Sequence, residues 1–391
     1  MDTLDLNQVN RFTLQKNHLT EETKCDDLIQ ITEDLCGLHS TGLTTSYLSL
    51  FVRTNNFKKE HLEKELYISK TLGRIRGMRK TLFVQTKNMI PIVFAATISL
   101  IEKTLEKYME YHKISLKEYQ EISNQIINLL KGRELSTSAI KKELNSKRLI
   151  PEIIHLMCNY GILIRTKPIK DWKDRRNEYA LFKDYFPTIN LEKVNQKEAI
   201  QYLIKKYVKT YGPVSENDIS WWTGLTKSKI RDAIKNFEDS LKKVKIISCK
   251  GNFLMDNSDM KELQKLTNLD KHTLSLLPEL DPYPMGYKER ERYIDIHNHN
   301  KIFDRSGNIA ATIILDGIVI GVWDTEKKPK PTLKFHLFNP IEKDILDELY
   351  SKANKIGEFY FDKKIEIKEC PSMIPLTERT AGGFMSPLKN C

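Results

Sequence analysis

The sequence lacks the closely spaced cysteines that zinc sites and disulfide-rich scaffolds need. Six cysteines are spread over 391 residues, and no two of them form a Cys-x-x-Cys pair. They are Cys25, Cys36, Cys158, Cys249, Cys370 and Cys391. His297 and His299 form a His-x-His pair, but no third ligand accompanies them in the sequence. We therefore expect six free thiols in a reducing cytosol and no metal site.

Long hydrophobic runs are absent as well. The longest apolar stretch, residues 89–101, is too short to span a bilayer, and the polar N-terminal residues do not resemble a secretory signal. The sequence also has no glycine-rich phosphate loop, no Ser-His-Asp order and no lysine motif typical of DNA lyases. These absences argue against a membrane-spanning protein and favour a cytoplasmic one.

What the chain does have is an excess of positive charge. It contains 63 Lys and Arg against 52 Asp and Glu, which gives a formal net charge of +11. Such an excess favours a polyanionic partner, because each phosphate that a cation neutralises releases condensed counterions. The charge alone does not separate a nucleic-acid binder from other basic proteins, so the pattern along the chain has to decide.

The clearest pattern lies between residues 197 and 255. Apolar residues at helical spacing over residues 200–211 predict an amphipathic helix. Ser215 and Asp218 form a capping box that begins a second helix, Thr226 caps a third, and two predicted strands follow. Three helices and a hairpin are typical of a winged helix. The cations on the outer side of its third helix are Lys227, Lys229 and Arg231.

Two further units of the same order precede this one. Between residues 116 and 182, predicted helices are followed by two strands that flank a basic loop, residues 167–176. The cations near the tip of that loop include Lys173, Arg175 and Arg176. In the first hundred residues, four predicted helices precede a hairpin with an Arg-rich turn. That turn carries Arg76, Arg79 and Lys80.

Beyond residue 272 the pattern changes to short strands. Asp316-Gly317 is a strong hairpin signal. Strands are predicted at residues 301–303, 310–315, 318–323, 334–338 and 358–367, around a helix near 341–355. The predicted fold is therefore α+β, with three tandem winged-helix units followed by a small antiparallel β-barrel. The predicted units are residues 1–110, 111–190 and 191–268, then 269–374 for the barrel and 375–391 for a loose tail.

Several stretches together resemble the winged-helix crosslink-repair DNA glycosylases, the AlkZ/YcaQ-like family. No single stretch is specific, but their order and spacing over most of the chain carry the resemblance. The stretches are residues 38–41 (LHST), 47–53 (YLSLFVR), 76–81 (RGMRKT), 211–214 (YGPV), 219–224 (ISWWTG), 276–283 (LLPELDPY) and 316–323 (DGIVIGVW). The resemblance implies a C-shaped face for duplex DNA, hydrolysis of the N-glycosidic bond of alkylated purines, and no metal or redox cofactor.

The resemblance also locates a catalytic motif, and here the sequence departs from the family. Family members place Gln-aliphatic-Gln or Gln-aliphatic-Asp after a Gly-Leu pair, whereas this chain has His39, Ser40 and Thr41 after that pair. An imidazole can orient a water and accept its proton, and a hydroxyl can hold the same water. We hypothesise that His39 positions or deprotonates the attacking water and that Thr41 assists. The alternative is that these residues only close a helix, with catalysis lost.

The resemblance further implies that Arg76, Arg79 and Lys80 contact phosphates beside the lesion. The cations of the basic loop and of residues 227–231 are candidates for the same role, and a solvated basic surface is the alternative for each set. The leading hypothesis is a monofunctional DNA glycosylase that acts as a monomer on double-stranded DNA with alkylated or crosslinked purines. The competing hypothesis is a non-catalytic DNA-binding protein, either a regulator or a lesion binder.

Overall fold

The computed structural model describes residues 1–145, 148–266, 272–378, 387–388 and 391. The first part of the chain combines helices with a small sheet. Its elements are β1 (Asp2–Leu4), α1 (Leu6–Lys16), α2 (Leu28–Asp34), β2 (Leu38–His39), α3 (Leu43–Phe51), α4 (Lys59–Glu63), β3 (Leu72–Arg76), β4 (Leu82–Thr86) and α5 (Met89–Tyr111). The strand order is β2-β4-β3, and β3 and β4 form the expected hairpin. Helix α5 contains the apolar stretch near residue 90, to which the sequence analysis assigned no element, and its first turns are buried.

The second part repeats the combination of helices and a three-stranded sheet. Its elements are α6 (Leu116–Leu130), β5 (Leu135–Ser136), α7 (Thr137–Glu143), α8 (Ile150–Asn159), β6 (Leu163–Pro168), β7 (Asn177–Leu181) and α9 (Phe182–Tyr185). Strands β6 and β7 flank the basic loop as expected, and the sheet order is β5-β7-β6. A separate apolar cluster, which includes Ile126, Ile154 and Leu163, holds the helices against this sheet.

The third part follows the sequence prediction closely. Its elements are α10 (Gln196–Tyr211), α11 (Glu216–Thr223), α12 (Lys227–Ile234), β8 (Leu241–Ile246), β9 (Phe253–Asp256) and α13 (Asn257–Gln264). Ser215 caps α11 by accepting a hydrogen bond from the Asp218 amide at 3.1 Å. In return, the Asp218 carboxylate accepts a hydrogen bond from the Ser215 amide at 2.9 Å. Both capping-box bonds satisfy helix-end amides that would otherwise lack partners.

The sheet of the third part receives its remaining strand from the start of the chain. Strand β1 pairs in parallel with β8, with Asp2 opposite Val244 and Leu4 opposite Ile246. Leu4 and Phe12 also join a buried cluster with residues of β8, β9 and α13. The N-terminal residues therefore pack with a unit from which the predicted boundaries separate them.

The last part forms a single sheet covered by a helix. Its elements are β10 (Leu274–Leu277), α14 (Pro282–Met285), α15 (His299–Ile302), β11 (Thr312–Leu315), β12 (Ile318–Glu326), β13 (Thr332–Leu337), α16 (Lys343–Phe361) and β14 (Glu366–Glu369). Residues 299–302 are helical rather than forming the predicted strand. The predicted strand at 358–367 is correct only at its last two residues, because α16 continues to Phe361 and β14 begins at Glu366.

The prediction of a closed antiparallel barrel is wrong for the described residues. The sheet is open, with the order β10-β11-β12-β13-β14, and its last pair is parallel. Helix α16 supplies the long crossover that a parallel pair requires. Its buried residues Leu349 and Ala353 pack with Trp323 and Phe335 of the sheet, so the helix fills the space that an opposite barrel wall would occupy. The winged-helix assignment and the C-shaped face stay predictions.

The prediction that all six cysteines are free is wrong for one pair. Cys370 and Cys391 form a disulfide with their Cα atoms 5.7 Å apart, whereas Cys25, Cys36, Cys158 and Cys249 are free. The pair was not visible in the sequence because 21 residues separate its members. Leu376 and Leu388, from the tail expected to be loose, are buried, which brings the chain back towards Cys370.

A buried ion pair fastens the first part of the chain to the last. Arg53, two residues after α3, donates two hydrogen bonds to the Asp281 carboxylate, at 2.8 and 2.7 Å. Both side chains are 0% exposed, and the Ser49 hydroxyl also donates to Asp281 at 2.8 Å. This pair holds the segment after β10 against α3 and, with it, against the loop that contains His39.

Candidate functional site

The turn before His39 requires glycine. Gly37 has φ of +104°, and a Cβ atom on it would lie 2.1 Å from the side-chain nitrogen of Gln85. That nitrogen donates to the Cys36 carbonyl at 2.9 Å, so the close approach is part of the turn. The turn leads into β2, where His39 lies opposite Phe83 of β4. The backbone position of His39 is therefore fixed by a sheet on one side and a tight turn on the other.

The imidazole of His39 lies inside the protein. The residue is 4% exposed, and its ring centroid is 4.8 Å from that of Phe83. The Nε2 atom is 3.4 Å from the Thr81 hydroxyl, and the buried Nδ1 atom has no hydrogen-bond partner in the described part of the chain. Burial, and secondarily the charge of Arg79, lower the pKa of His39 to about 3. The ring is therefore neutral near pH 7 and is a poor proton acceptor.

A small cavity adjoins the His39 ring. Its volume is about 10 Å³, and its lining includes Arg79, Tyr211, Trp222 and Pro282. A cavity of roughly 10–15 Å³ is the least that a single water requires. The space beside His39 therefore suits one water and excludes a nucleobase.

The other two residues of the triplet point in different directions. Ser40 is buried, and its hydroxyl accepts a hydrogen bond from Nε of Arg74 at 2.9 Å. Arg74 also donates to the side-chain oxygen of Asn177 at 2.6 Å, which ties the loop to the second sheet. Thr41 is exposed, and Gly42 then begins α3. Of the two predicted catalytic residues, His39 faces inward and Thr41 faces solvent.

A carboxylate that the sequence analysis did not single out lies beside this loop. A Cβ atom on Gly42 would be 4.0 Å from Oε1 of Glu279. Glu279 is half-buried, and burial raises its pKa to about 7, although Arg175 opposes the shift. The one signal in the sequence is an acidic residue in the otherwise apolar stretch LSLLPEL.

The Arg-rich turn between β3 and β4 packs inward. Arg79 adopts φ of 52°, and its guanidinium carbon lies 4.0 Å from the ring centroid of Trp221. Burial lowers the pKa of Arg79 to about 10, and the nearby charge of Arg290 adds to the shift. Arg76 is half-buried, with its pKa lowered by burial and by Arg165, whereas Lys80 is exposed.

The basic loop lies against the C-terminal helix. The ammonium of Lys173 is 4.5 Å from the ring centroid of Tyr360. Arg176 is exposed and bonded to Asp174, with Nη2 2.7 Å from Oδ2. Arg175 is exposed and lies near Glu279. The loop therefore brings one of its three candidate cations close to Glu279.

Helix α12 presents its cations to solvent. Lys227 and Lys229 are exposed and form no salt bridge with a described residue. Arg231 is also exposed, but it donates two hydrogen bonds to Glu216, both at 2.9 Å. Trp222 of the preceding helix is 3% exposed and belongs to the core.

The structure thus gathers His39, Thr41, Arg79, Arg175 and Glu279 around two contacting segments, residues 37–42 and 279–285. The other candidate cations lie on separate elements. Among the described residues, no group of three His, Cys, Asp or Glu side chains is arranged to hold a metal ion. No described helix is both long and apolar enough to cross a membrane.

Comparison with known proteins identifies the family. The model of the family described as "DNA glycosylase AlkZ-like" matches residues 32–359. No curated protein matches the sequence. The fold is similar to that of Streptomyces sahachiroi DNA glycosylase AlkZ, with a TM-score of 0.76, 17% identity, and coverage of 95% of this chain and 100% of that one. The matched residues include the His39 loop and the Glu279 segment, and the chain belongs to the AlkZ-like DNA glycosylase family.

Proposed function

We propose that this protein is a monofunctional DNA glycosylase that hydrolyses the N-glycosidic bond of alkylated purines, including purines within interstrand crosslinks. The observation that carries the proposal is the family match, which runs through the His39 loop. The net charge of +11 supports double-stranded DNA as the partner. The competing function, DNA binding without catalysis, draws its support from the replacement of both polar residues of the family motif.

The reaction needs little acid catalysis. A purine alkylated at N7 carries a positive charge, so it leaves as a neutral base when the glycosidic electron pair moves onto the ring. The enzyme has to place a water and to accommodate an oxocarbenium-like sugar. We assign the orientation of that water to His39, because its neutral ring has an unpartnered nitrogen and adjoins a cavity of one-water size. Thr41 lies on the solvent side of the same loop. We propose that its hydroxyl binds a DNA phosphate or assists in holding the water.

We assign the phosphate contacts to the candidate cations, with the exposed ones contributing most. The exposed members are Lys80, Arg175, Arg176, Lys227, Lys229 and Arg231. Arg76, Arg79 and Lys173 are partly buried, and for them we propose that they shape the surface around the lesion and add positive potential. Phosphate contacts fix the register of the protein on DNA and carry no sequence information.

Single-turnover excision of 7-methylguanine from duplex DNA tests the proposal. We expect abasic sites to form with the wild-type protein, and His39→Ala to slow excision by about a hundredfold, because a misplaced water costs that much. His39→Gln is the matched control: it restores the residue type of the family motif, and its amide oxygen can orient the water. We expect it to excise within about tenfold of the wild type.

Absence of excision from both 7-methylguanine and crosslinked substrates would contradict the proposal. If the same protein then binds duplex DNA tightly and with strong salt dependence, the non-catalytic function takes its place. Equal rates for His39→Ala and the wild type would keep the glycosylase and remove His39 from its mechanism.

A further inference from the structure

Glu279 reaches the candidate active site from a segment that is distant in the sequence. It lies between β10 and α14, and its Oε1 atom would be 4.0 Å from a Cβ atom placed on Gly42, the residue after Thr41. The next residue, Leu280, has φ of +57°, and its amide donates to the Ile309 carbonyl at 3.3 Å. Asp281 is fixed by Arg53. The backbone that carries Glu279 is therefore anchored immediately after this residue.

The carboxylate of Glu279 has no partner that would explain it as a structural group. It makes no hydrogen bond or salt bridge within the described ranges. A half-buried carboxylate without such bonds is unfavourable, because burial removes water that the charge would otherwise keep. Unpartnered ionisable groups in partly buried positions are typical of catalytic sites.

Charged groups from three other elements face Glu279. Arg175 of the basic loop favours its ionised form, whereas Asp324 of β12 disfavours it. Tyr360 of α16 also lies near Glu279, and the charge of Glu279 contributes to the raised pKa of Tyr360. Burial, to which the charge of Asp324 adds, outweighs the charge of Arg175 and raises the pKa of Glu279 to about 7. A base with a pKa near the working pH combines adequate strength with a useful ionised fraction.

We propose that Glu279 is the general base of the glycosylase, accepting the proton of the water that attacks the sugar. The inference rests on the proposed function. In the step, the water oxygen bonds to C1′ while the bond from C1′ to the purine nitrogen breaks. The electron pair of that bond moves onto the cationic purine, which leaves neutral, and one water proton moves to the Glu279 carboxylate. The products are an abasic site with a 1′-hydroxyl, a free base and protonated Glu279, so atoms and charge balance.

This assignment gives His39 and Glu279 different roles in the reaction. His39 is neutral and too weakly basic to take a proton at pH 7, since burial holds its pKa at about 3. In this assignment His39 orients the attacking water, and Glu279 accepts the proton of that water. Glu279 supplies its carboxylate beside Gly42 from a segment that is distant in the sequence.

The raised pKa of Glu279 determines how the excision rate depends on pH. The active form of Glu279 is ionised, and its pKa is raised, so excision should be slow below pH 6 and rise through a midpoint near 7 to a plateau above pH 8. His39 contributes no midpoint in this range, because it stays neutral throughout. Arg175 and Asp324 act on this midpoint only through their electrostatic interactions with Glu279, which oppose each other.

The test measures single-turnover excision of 7-methylguanine from pH 5.5 to 9 with Glu279→Gln, Glu279→Asp and Glu366→Gln. Glu366 is an exposed residue of β14 and serves as the control. At pH 8 we expect Glu279→Gln to lose about a hundredfold or more in rate and to lose the midpoint near 7. Glu279→Asp should keep a midpoint with a lower rate, and Glu366→Gln should match the wild type. Affinity for lesion DNA, measured by titration, should change less than threefold for each variant.

The outcomes separate this inference from the function on which it rests. If the wild type excises the base and Glu279→Gln excises it equally fast, or keeps the midpoint near 7, Glu279 is not the base and the glycosylase stands. If the wild type excises nothing from methylated or crosslinked DNA, both fail. Thermal unfolding controls for folding: removing an unpartnered, half-buried charge should leave the melting temperature unchanged or raise it, so a large drop would indicate a structural role and overturn the proposal.

Discussion

Replacing Arg53 by methionine tests the ion pair that fastens α3 to the Asp281 segment. The guanidinium also donates to the Asn17 and Ser49 carbonyls, at 2.8 and 2.9 Å. Methionine fills a similar volume but removes every one of these bonds. Asp281 then lies fully buried without its cationic partner, and among the described residues the Ser49 hydroxyl and the Tyr283 amide remain as its donors.

The expected loss is large because the remaining charge is uncompensated. Removing one partner of a buried pair costs about 3–5 kcal/mol, much of it from the desolvated partner left behind. Against a total of about 5–15 kcal/mol for a typical domain, this is a substantial fraction. The double variant Arg53→Met with Asp281→Leu removes both charges. We expect it to lose about 2–3 kcal/mol less than the sum of the two single variants.

Urea unfolding at 25 °C, followed by tryptophan fluorescence, gives the three free energies of unfolding. Arg133→Met is the matched control, since Arg133 also binds a carboxylate, that of Glu143, through two bonds. That pair is exposed to solvent, so its loss should be barely measurable. A small loss for Arg53→Met, or additive free energies in the double variant, would refute the view that this pair holds the two segments together.

Two further predictions concern charge. His39 has a folded-state pKa of about 3 against 6.5 in the unfolded chain, so the unfolded state binds the extra proton and stability falls as pH drops below 6.5. From pH 8 to pH 5 the loss from this group is about 2 kcal/mol. Urea unfolding of His39→Gln should lack that component, and equal losses in both proteins would contradict the burial argument. The second prediction is that Lys227→Ala with Lys229→Ala weakens DNA binding and reduces the slope of log K against log salt by about 2. The exposed pair Lys363 and Lys364 provides the control variant, and unchanged slopes for the first variant would remove α12 from the interface.

Local signals in the sequence predicted local structure well. Ser215 and Asp218 form the predicted capping box, and Gly224 ends α11 with φ of +80°. The apolar residues of 200–211 face the core as their spacing indicated. Each of these features depends on residues a few positions apart, so the pattern and its cause lie in the same stretch of sequence.

Features that depend on distant residues could not be predicted in this way. Nothing in Asp2–Leu4 indicates pairing with β8, because parallel pairing leaves no turn signature between its partners. Arg79 was expected to face phosphates, yet its proximity to Trp221 is visible only in three dimensions. Glu279 was part of a recognised stretch, but its position beside Gly42 is visible only in the folded chain. The open sheet escaped prediction because strand patterns do not reveal whether the sheet edges meet.

The pairing of β1 with β8 has a consequence for synthesis on the ribosome. Asp2 cannot pair until its partner Val244, 242 positions later, has been synthesised. At a translation rate of about 5–20 residues per second, that delay is roughly 12–48 s. During this interval β1 has no sheet to join. The edge of β8 that faces β1 is likewise uncovered until the two strands meet. Completion of this sheet therefore depends on the meeting of β1 with residues that are made much later.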